Sequence, residues 1–382
     1  MPSPMSRLGR WGTPMHIDAK ALGDLAYGAA FLGSGGGGDP YYGRLLCEAE
    51  LARAKSIELI RLEDLADDAL VAPCGWIGAP TVSVEKLPSG RETVAGLRRL
   101  EAVIGRPIDA VLPVEIGGGN GLAPLAAAMQ LGVPVVDADG MGRAFPESQM
   151  AIFNIRGLAA CPSVLTDANG TIAVIEDSDN LAHERIARGV SVAMGGIAHM
   201  VEYPLSGTDA RAHAIAGSIS SAIAIGTAVR QARLASEDPF EALFAALRAT
   251  GVYDHADILF DGKIADLERE TRAGFSVGRI VIEGLHGEGE MELLFQNENL
   301  LARRNGRVCA MVPDIITVMD RETADTITTE RLKYGQRVKI VGASAPAILR
   351  ERRALDFVGP EAFGFDDPYR PIEQLNGWAI AR

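Results

Sequence analysis

Three carboxylates follow two apolar, β-branched segments in the first half of the chain. Glu115 ends the first of these segments, and Asp137 and Asp139 come directly after the second. Carboxylates that lie close together raise one another's pKa or share a cation. Asp137 or Asp139 could then serve as a general base, and Glu115 with Asp139 could hold a divalent metal. Glu115, Asp137 and Asp139 are therefore the predicted catalytic residues.

The segment that carries them, residues 111–150, is predicted to be one strand–turn–helix–strand unit. The apolar residues 111–115 and 133–136 favour strands. Between them, residues 116–121 form a glycine-rich turn, and residues 122–131 are helical by their alanine and leucine content. Ligands bind beyond the carboxyl ends of the strands in a parallel α/β sheet, so we expect a site at this edge. The alternative is structural, because Asp after a strand often caps a helix and glycine turns often only reverse the chain.

Polar residues around this unit are predicted to bind the substrate. Arg143 would pair with a substrate carboxylate through its planar fork of donors. Lys86, which with Glu85 ends an alternating segment at residues 81–86, could also balance negative charge that develops on a substrate. The remaining candidates are Glu85, Asn120 and Glu147.

A run of glycines, GSGGGGDP at residues 33–40, follows a predicted helix. Free backbone N–H groups at a helix start can bind an anion, which makes nucleotide binding a weaker hypothesis. The Rossmann fingerprint, however, needs a strand before its glycines, and no Gly-Lys-Ser/Thr follows as in a Walker A loop. We expect instead a loop in which the backbone passes close to another group, and we assign Ser34, Gly35 and Gly36 to the wall of the substrate pocket.

Three further residues have reactive side chains but no decisive neighbour. Cys74 lies in a glycine-rich turn after a predicted strand, and His199 stands in an apolar run. His255 lies between Asp254 and Asp257, without a second His at helical spacing to complete a metal site. A lone Cys or His is more often a packed core residue than a catalytic group, so their part in the chemistry stays open.

The composition limits the classes of partner. The chain has 382 residues, of which 47% are hydrophobic, and a net charge of -13. This length predicts roughly two globular domains. Nucleic acid and anionic membranes would repel so acidic a surface, and neither is an expected partner. The four cysteines are scattered, without the spacing of a zinc knuckle or a disulfide framework, which favours a reducing cytoplasm.

Two segments bear on targeting and assembly. Residues 1–15 have no apolar stretch typical of a signal peptide and are predicted to be a flexible arm. Small residues dominate residues 212–229, which predicts a buried helix or a subunit contact rather than a membrane span. A homo-oligomer is therefore expected.

The predicted fold class is α/β, with two domains that meet at the polar break of residues 177–180. Residues 16–180 form an N-terminal α/β domain with a partly parallel sheet. Residues 181–382 form a C-terminal domain that is helical at first and β-rich from about residue 274, where the hydrophobic period changes to two. A polar burst between two of its strands, FQNEN at residues 295–299, could orient a polar heterocycle or a cation.

Several blocks of sequence together resemble one known family. The most specific block is VVDADGMGRAFPE at residues 135–147, and the others are residues 33–40, 78–82 with Glu85 and Lys86, 260–264, 295–300 and 331–338. Over roughly residues 18–371 the chain resembles the S-methyl thiohydantoin desulfurase family, long a domain of unknown function and often encoded beside hydantoinase/oxoprolinase proteins. The resemblance implies an α/β domain joined to a β-rich one. It also implies hydrolytic removal of sulfur, as a thiol, from a five-membered thiohydantoin ring.

Two functions from different classes follow. In the first, the chain is a hydrolase that adds water to an electron-poor carbon of a hydantoin-like small molecule and releases a thiol. In the second, it is a non-catalytic ligand-binding or assembly subunit for a hydantoinase-type partner. Apart from a divalent metal, the sequence indicates no cofactor.

Overall fold

A computed structural model gives the structure of the chain. It describes residues 15–53, 56–79, 82, 85–285 and 287–378. Two sequence predictions fall largely outside these residues. They are the flexible arm, of which only Met15 is described, and residues 81, 83 and 84 of the alternating segment at residues 81–86.

The first part of the chain builds a mixed β-sheet and a short separate ladder. In chain order their strands are Met15–Ile17 (β1), Ile57–Ile60 (β2), Leu70–Gly78 (β3), Ala110–Pro113 (β4), Val135–Val136 (β5), Ala138–Asp139 (β6), Ser163–Thr166 (β7), Ile172–Ile175 (β8), Ile197–Val201 (β9), Leu205–Ser206 (β10) and Ile215–Ala216 (β11). The ladder pairs β6 with β11.

The centre of the mixed sheet is parallel. Its strand order is β1-β2-β5-β4-β3-β9-β7-β8, and β10 also pairs with β3. The strands β2, β5, β4 and β3 run parallel to one another, whereas β9 pairs antiparallel with both β3 and β7. The apolar residues of β4 and β5 are buried, as parallel strands covered on both faces require. The predicted strand–turn–helix–strand unit is confirmed, because β4 leads through a helix to its parallel neighbour β5.

Helices pack on the mixed sheet and connect it to the second half of the chain. They are Ala19–Leu32 (α1), Pro40–Leu51 (α2), Glu92–Ile104 (α3), Ala123–Leu131 (α4), Ile152–Ile155 (α5), Asn180–Ala193 (α6), Gly207–His213 (α7), Ser218–Ala235 (α8), Pro239–Ala249 (α9), Arg352–Val358 (α10) and Ile372–Asn376 (α11). Asp18, Asp39, Asp179 and Asp238 cap the first turns of α1, α2, α6 and α9 with their carboxylates.

Helices α1 and α8 approach each other closely through small residues. A methyl group on Gly28 would lie 2.0 Å from the carbonyl oxygen of Ala222, and one on Gly226 would lie 2.0 Å from that of Asp24. Helix α8 is therefore the buried helix that the small residues of 212–229 predict. Across the described part of the chain, no helix has both the length and the apolar character that a bilayer crossing needs. The subunit contact predicted from the same segment stays a prediction.

The second half of the chain builds an antiparallel sheet. Its strands are Ala256–Arg272 (β12), Phe275–Gly284 (β13), Glu290–Gln296 (β14), Glu298–Arg304 (β15), Arg307–Met311 (β16), Ile315–Asp320 (β17) and Arg337–Ala343 (β18). They lie in the order β16-β15-β14-β13-β12-β18-β17. The sheet begins at Ala256, earlier than the predicted start near residue 274, because the exposed charged residues at the end of β12 hide its alternation.

The two sheets confirm the predicted fold class, an α/β half with a partly parallel sheet joined to a β-rich half. Strands β9 and β10 lie beyond the predicted boundary near residue 180, yet they complete the first sheet. The position of the boundary itself stays a prediction.

Candidate functional site

A cavity opens at the carboxyl ends of the parallel strands β3 and β4. Its volume is about 670 Å³, counting the part that is open to solvent. Five carboxyl groups and one guanidinium line it, those of Glu115, Glu147, Glu184, Glu202, Glu298 and Arg188. The strand-end rule predicts a site in this place, and the cavity lies there.

Glu115 extends into the cavity from the end of β4, and only 3% of it is exposed. Its Oε1 accepts a hydrogen bond of 2.5 Å from Nδ2 of Asn120, and its Oε2 accepts one of 2.9 Å from the backbone N–H of Phe145. Asn120 is itself fixed, because its Oδ1 accepts a hydrogen bond of 2.6 Å from the N–H of Trp76. The carboxylate is therefore held in a single orientation, as a catalytic base requires.

Glu298 reaches the same cavity from the second sheet, as the first residue of β15. It is 1% exposed, and its Oε1 accepts a hydrogen bond of 3.1 Å from the N–H of Gly37. The preceding residue, Asn297, also lines the cavity and has a left-handed backbone with φ of 57°. The second sheet thus supplies one wall of a site whose floor belongs to the first.

Glu202 and Glu184 form the third side of the cavity. Glu202 follows β9, and its Oε2 accepts a hydrogen bond from Oγ of Ser148. Glu184 on α6 accepts one of 2.9 Å from the N–H of Ser148 and pairs with Arg188 at 2.7 Å. Arg188 also donates a hydrogen bond of 2.7 Å to the carbonyl oxygen of Pro146. The guanidinium therefore already has a partner within the wall.

Burial raises the pKa of the innermost carboxyl groups, because it disfavours their charged form. It raises the pKa of Glu202 to about 8, and the nearby charge of Glu184 adds to this effect. Burial also raises the pKa of Glu115, against the opposing effect of the hydrogen bonds from Asn120 and Phe145. Burial and the charge of Glu115 together raise the pKa of Glu298 well above its usual range. Because two ionised carboxylates repel each other, ionisation of Glu115 favours the protonated form of Glu298.

Part of the cavity wall is apolar. Trp76, Phe145, Met141 and Met200 line it beside the carboxyl groups. Flat and polarisable side chains of this kind suit a planar ring and keep bulk water away from the polar side. The cavity is therefore suited to a small heterocycle that contacts carboxyl groups along one edge.

Asp139 lies beneath the cavity rather than in its wall. It is fully buried, and its Oδ2 accepts hydrogen bonds from the N–H groups of Ile116, Met141 and Gly142 at 2.8, 3.2 and 2.7 Å. These contacts join the turn after β4 to the turn after β6. We therefore expect Asp139 to hold the backbone on which Glu115 stands, and its predicted catalytic role is not supported by its position.

Asp137 and Arg143 are also placed away from the cavity wall. Oδ1 of Asp137 accepts a hydrogen bond of 3.0 Å from the N–H of Ser220, at the start of α8, which is the capping role that the structural alternative describes. Arg143 is fully buried and donates to the carbonyl oxygens of Ala144, Pro313 and Asp314 at 2.9, 3.0 and 2.8 Å. Its guanidinium joins the two halves of the chain, and its pairing with a substrate carboxylate stays a prediction.

The glycine run lies between the two halves of the chain. Ser34 has φ of 50°, and its Oγ both accepts from the N–H and donates to the carbonyl oxygen of Ile316 in β17, at 3.1 and 3.0 Å. A methyl group on Gly35 would lie 2.7 Å from the amide of Asn299, and one on Gly36 would lie 2.0 Å from Oε1 of Glu298. Ser34, Gly35 and Gly36 thus join the sheets, while Gly37 and Gly38 line the cavity.

The remaining predicted binding residues divide between the cavity and its surroundings. Asn120 and Glu147 line the cavity, and Glu147 accepts a hydrogen bond of 2.5 Å from the side chain of Gln149. Glu85 is exposed. Lys86 donates a hydrogen bond of 2.6 Å to the carbonyl oxygen of Met194 and lines a second, smaller cavity instead.

The part of Cys74, His199 and His255 in the chemistry stayed open in the sequence, and each now lies in surroundings typical of a structural residue. Cys74 is fully buried in β3, and burial raises the pKa of its thiol far above the range in which a thiolate forms. Burial lowers the pKa of His199 to about 4, and its Nδ1 lies 2.7 Å from Oγ1 of Thr93. His255 is half-buried, and its backbone N–H donates to Oγ of Ser344 at 3.0 Å.

The predicted divalent metal on Glu115 and Asp139 would meet oxygens that are mostly engaged already. Both oxygens of Glu115 and Oδ2 of Asp139 accept hydrogen bonds from N–H groups, whereas Oδ1 of Asp139 has no hydrogen-bond partner among the described residues. Within the described ranges, no group of three or more His, Cys, Asp or Glu side chains is arranged to hold a metal ion. The metal stays a prediction, and no step below depends on it.

The sequence predictions did not include Glu184, Arg188, Glu202 or Glu298. Glu298 lies in the polar burst at residues 295–299, and the density of amides and carboxylates there is a sequence indication of a site. Glu202 also follows a buried strand, but β9 runs antiparallel to β3, so the strand-end rule for parallel sheets does not predict it. Nothing in the local sequence distinguishes Glu184 and Arg188 from an ordinary i,i+4 pair on a helix.

Comparisons with known proteins agree with this architecture. A crystal structure of a protein from Chromobacterium violaceum is similar to 94% of this chain and 100% of its own, with a TM-score of 0.77 and 23% identity, which shows a shared fold. No curated protein matches the chain significantly. Residues 20–177 match the model of the S-Me-THD-like N-terminal domain, and residues 178–372 match that of the S-Me-THD-like C-terminal domain. The chain therefore belongs to the S-Me-THD-like family.

Proposed function

We propose that the chain hydrolyses an S-alkyl thiohydantoin to a hydantoin and a thiol. Family membership supports the class of ring. The observation that carries the reaction type is the carboxylate of Glu115, which two donors hold in a buried cavity with acidic groups on one side and aromatic groups on the other. In such a ring, the carbon bonded to sulfur is also double-bonded to nitrogen, so water can add to it.

Glu115 serves as the general base in the first step. Its ionised carboxylate takes a proton from water, and the water oxygen bonds to the ring carbon. The electron pair of the C=N bond moves to the ring nitrogen, which takes up a proton from a second group. Because the hydrogen bonds from Asn120 and Phe145 orient the base, the water is directed along one line of attack.

Sulfur leaves in the second step. The C–S bond breaks with its electron pair on sulfur, and the proton held by Glu115 passes to the thiolate. The new hydroxyl becomes the hydantoin carbonyl as its proton returns to the group that had protonated the nitrogen. One water is consumed, one thiol and one carbonyl are formed, and both protein groups return to their starting states.

The proposal is tested by incubating the purified chain alone with an S-methyl thiohydantoin in water enriched in oxygen-18. Thiol is measured with a thiol-reactive dye against a blank that contains the protein's own cysteines, and the ring product by mass spectrometry. We expect equal amounts of thiol and hydantoin, with one labelled oxygen in each hydantoin. An absence of thiol would count against a hydrolase.

The second candidate, a ligand-binding or assembly subunit, makes the opposite prediction in the same assay. Thiol would then appear only when a hydantoinase-type partner is added. The same preparation, measured by light scattering, tests the homo-oligomer that the small residues of α8 predict.

A further inference from the structure

Glu298 is held in the cavity wall by a rigid backbone. The N–H of Asn297 donates to the carbonyl oxygen of Ser276 at 2.6 Å, and the N–H of Ser276 donates back to Oδ1 of Asn297 at 2.9 Å. Oγ1 of Thr329 donates to the carbonyl oxygen of Asn297 at 2.8 Å. Three bonds therefore fix the residue before Glu298, and the carboxyl group enters the cavity from a defined point.

One oxygen of Glu298 has no hydrogen-bond partner among the residues that the structure describes. Oε1 accepts from Gly37, whereas Oε2 is buried without any hydrogen bond. An unpaired buried polar atom costs about 1–3 kcal/mol, so such atoms in native proteins usually bind something else. Because Glu298 lines the cavity, a ligand there is the group that can pair with Oε2.

The neighbouring charge of Arg143 offers a structural explanation for the buried carboxyl of Glu298, which has to be distinguished from ligand binding. The charge of each group favours the charged form of the other, and so it shifts the other's pKa. Nη2 of Arg143 is also buried without a hydrogen-bond partner among the described residues. The two side chains form no hydrogen bond with each other. If Glu298 only balanced the charge of Arg143, its replacement would change stability without a specific effect on the reaction.

The charge state of Glu298 fits a proton donor. Burial and the neighbouring charge of Glu115 raise the pKa of Glu298, so its carboxyl is protonated when Glu115 is ionised. A protonated carboxyl that accepts from Gly37 through Oε1 carries its proton on Oε2. That oxygen then donates to an acceptor on the ligand, and the sp² nitrogen of the proposed ring is such an acceptor.

We propose that Glu298 binds the ring nitrogen of the substrate and delivers a proton to it as water attacks the adjacent carbon. This inference rests on the proposed function and names the second group that the reaction needs. The O–H bond of Glu298 breaks as the N–H bond forms, and the electron pair of C=N becomes the lone pair of the ring nitrogen. When the thiol leaves, the hydroxyl on the ring carbon returns a proton to Glu298.

The test compares Glu298→Gln with Glu290→Gln, an exposed residue of the same sheet. Gln keeps a donor for the ring nitrogen but has no proton to transfer, so we expect KM within about threefold of the wild-type value and kcat lowered by about 100-fold. The fall in activity at high pH, where the wild-type acid loses its proton, should also disappear. Unchanged kcat with an unchanged pH profile would overturn the proposal.

If Glu298→Gln does not fold, Glu298→Asp replaces it, because Asp withdraws the acid by one methylene group. We then expect kcat to fall at least about tenfold. A kcat equal to the wild-type value would overturn the proposal.

A binding measurement separates this proposal from the proposed function. An analogue of the S-methyl thiohydantoin with a methylene group in place of sulfur keeps the sp² ring nitrogen and cannot lose a thiol. It is added to the wild type, Glu298→Ala and Glu290→Gln, and the shift in thermal unfolding is recorded. We expect this analogue to stabilise the wild type and Glu290→Gln but not Glu298→Ala. That pattern without any thiol release would reject the hydrolase and retain ring binding by Glu298. Equal stabilisation of all three proteins, or of none, would reject ring binding by Glu298.

Discussion

The N–H of Gly37 donates a hydrogen bond of 3.1 Å to Oε1 of Glu298, 261 positions further along the chain. The loop before Gly37 leaves space for that carboxyl group, because a methyl group on Gly36 would lie 2.0 Å from the same oxygen. The glycine run therefore allows the close approach that the sequence predicts, and the group that approaches is a side chain of the second sheet.

Gly36→Ala is expected to displace the carboxyl of Glu298 and to weaken both the fold and the site. The added methyl group meets Oε1 of Glu298, so the bond to Gly37 is lost and the unfolding free energy should fall by about 1–3 kcal/mol. Gly23→Ala is the matched control, since nothing lies within 4 Å of a methyl group there and Ala favours a helix by about 1 kcal/mol. Urea unfolding of both variants measures the difference, and equal stability of the two would contradict this account.

Glu115→Gln is expected to lower the rate of thiol release by about 10²–10⁴-fold, because an amide cannot take the proton of water. Its Oε1 can still accept from Asn120, but its NH₂ group would face the N–H of Phe145, which costs about 1–3 kcal/mol of stability. Steady-state kinetics and thermal unfolding measure the two effects. Glu361→Gln, on the surface, should change neither. Substantial activity in a folded Glu115→Gln protein would rule out Glu115 as the base.

The pH dependence of kcat/KM should reflect the burial of Glu115. The base must be ionised, so activity falls as the pH drops through the pKa of Glu115, which burial raises above its ordinary value of about 4.3. We therefore expect the acidic limb of the profile to lie at least about one pH unit above that value. A limb at the ordinary value of a solvated Glu would indicate that an exposed carboxylate is the base.

We expect replacement of Asp139 to lower the unfolding free energy of the protein. Asp139→Ala removes the acceptor of three backbone N–H groups in a fully buried turn, so we expect the unfolding free energy to fall by at least about 3 kcal/mol. Asp68→Ala, at an exposed position, is the control for urea unfolding. A stable Asp139→Ala protein without turnover would instead restore the catalytic role that the sequence predicts.

The contrast between Asp139 and Glu115 shows how far the sequence could lead. Both acids follow apolar segments, and the strand-end rule correctly places them at one edge of a parallel sheet. Which acid points into the cavity depends on the turns after the strands, where backbone N–H groups take up Asp139 and leave Glu115 in the wall. The residue types and their spacing do not predict this difference in orientation between the side chains of Asp139 and Glu115.

Contacts across the two sheets were still harder to predict. Glu298 and Arg143 belong to blocks that the sequence singles out. Only the packing of β15 and β17 on the first half of the chain determines that Glu298 lines the cavity and that Arg143 is buried beneath it. The regular elements were easier, since the change of the hydrophobic period to two near residue 274 predicts the β-rich half that includes β13 and the later strands.

Glu202→Gln is expected to make stability less dependent on pH. Burial raises the pKa of Glu202 from 4.5 to about 8, so the folded protein binds this proton more tightly than the unfolded chain. The stability due to this proton is complete below pH 4.5 and is lost as the pH rises through about 8, a change on the order of 5 kcal/mol. Thermal unfolding at acid and alkaline pH should show that Gln removes this loss. The same slope in the variant and the wild type would exclude Glu202 as its source.

The place of β9 between β3 and β7 determines when the first sheet can close during synthesis. Strands β3 and β7 leave the ribosome well before β9, and until β9 arrives each has an edge with unpaired N–H and C=O groups. A nascent chain that stops short of residue 201 therefore presents two open strand edges that can pair with other chains. Chaperone capture and aggregation of truncated products should accordingly be concentrated among chains that end before β9 and decline among those that include it.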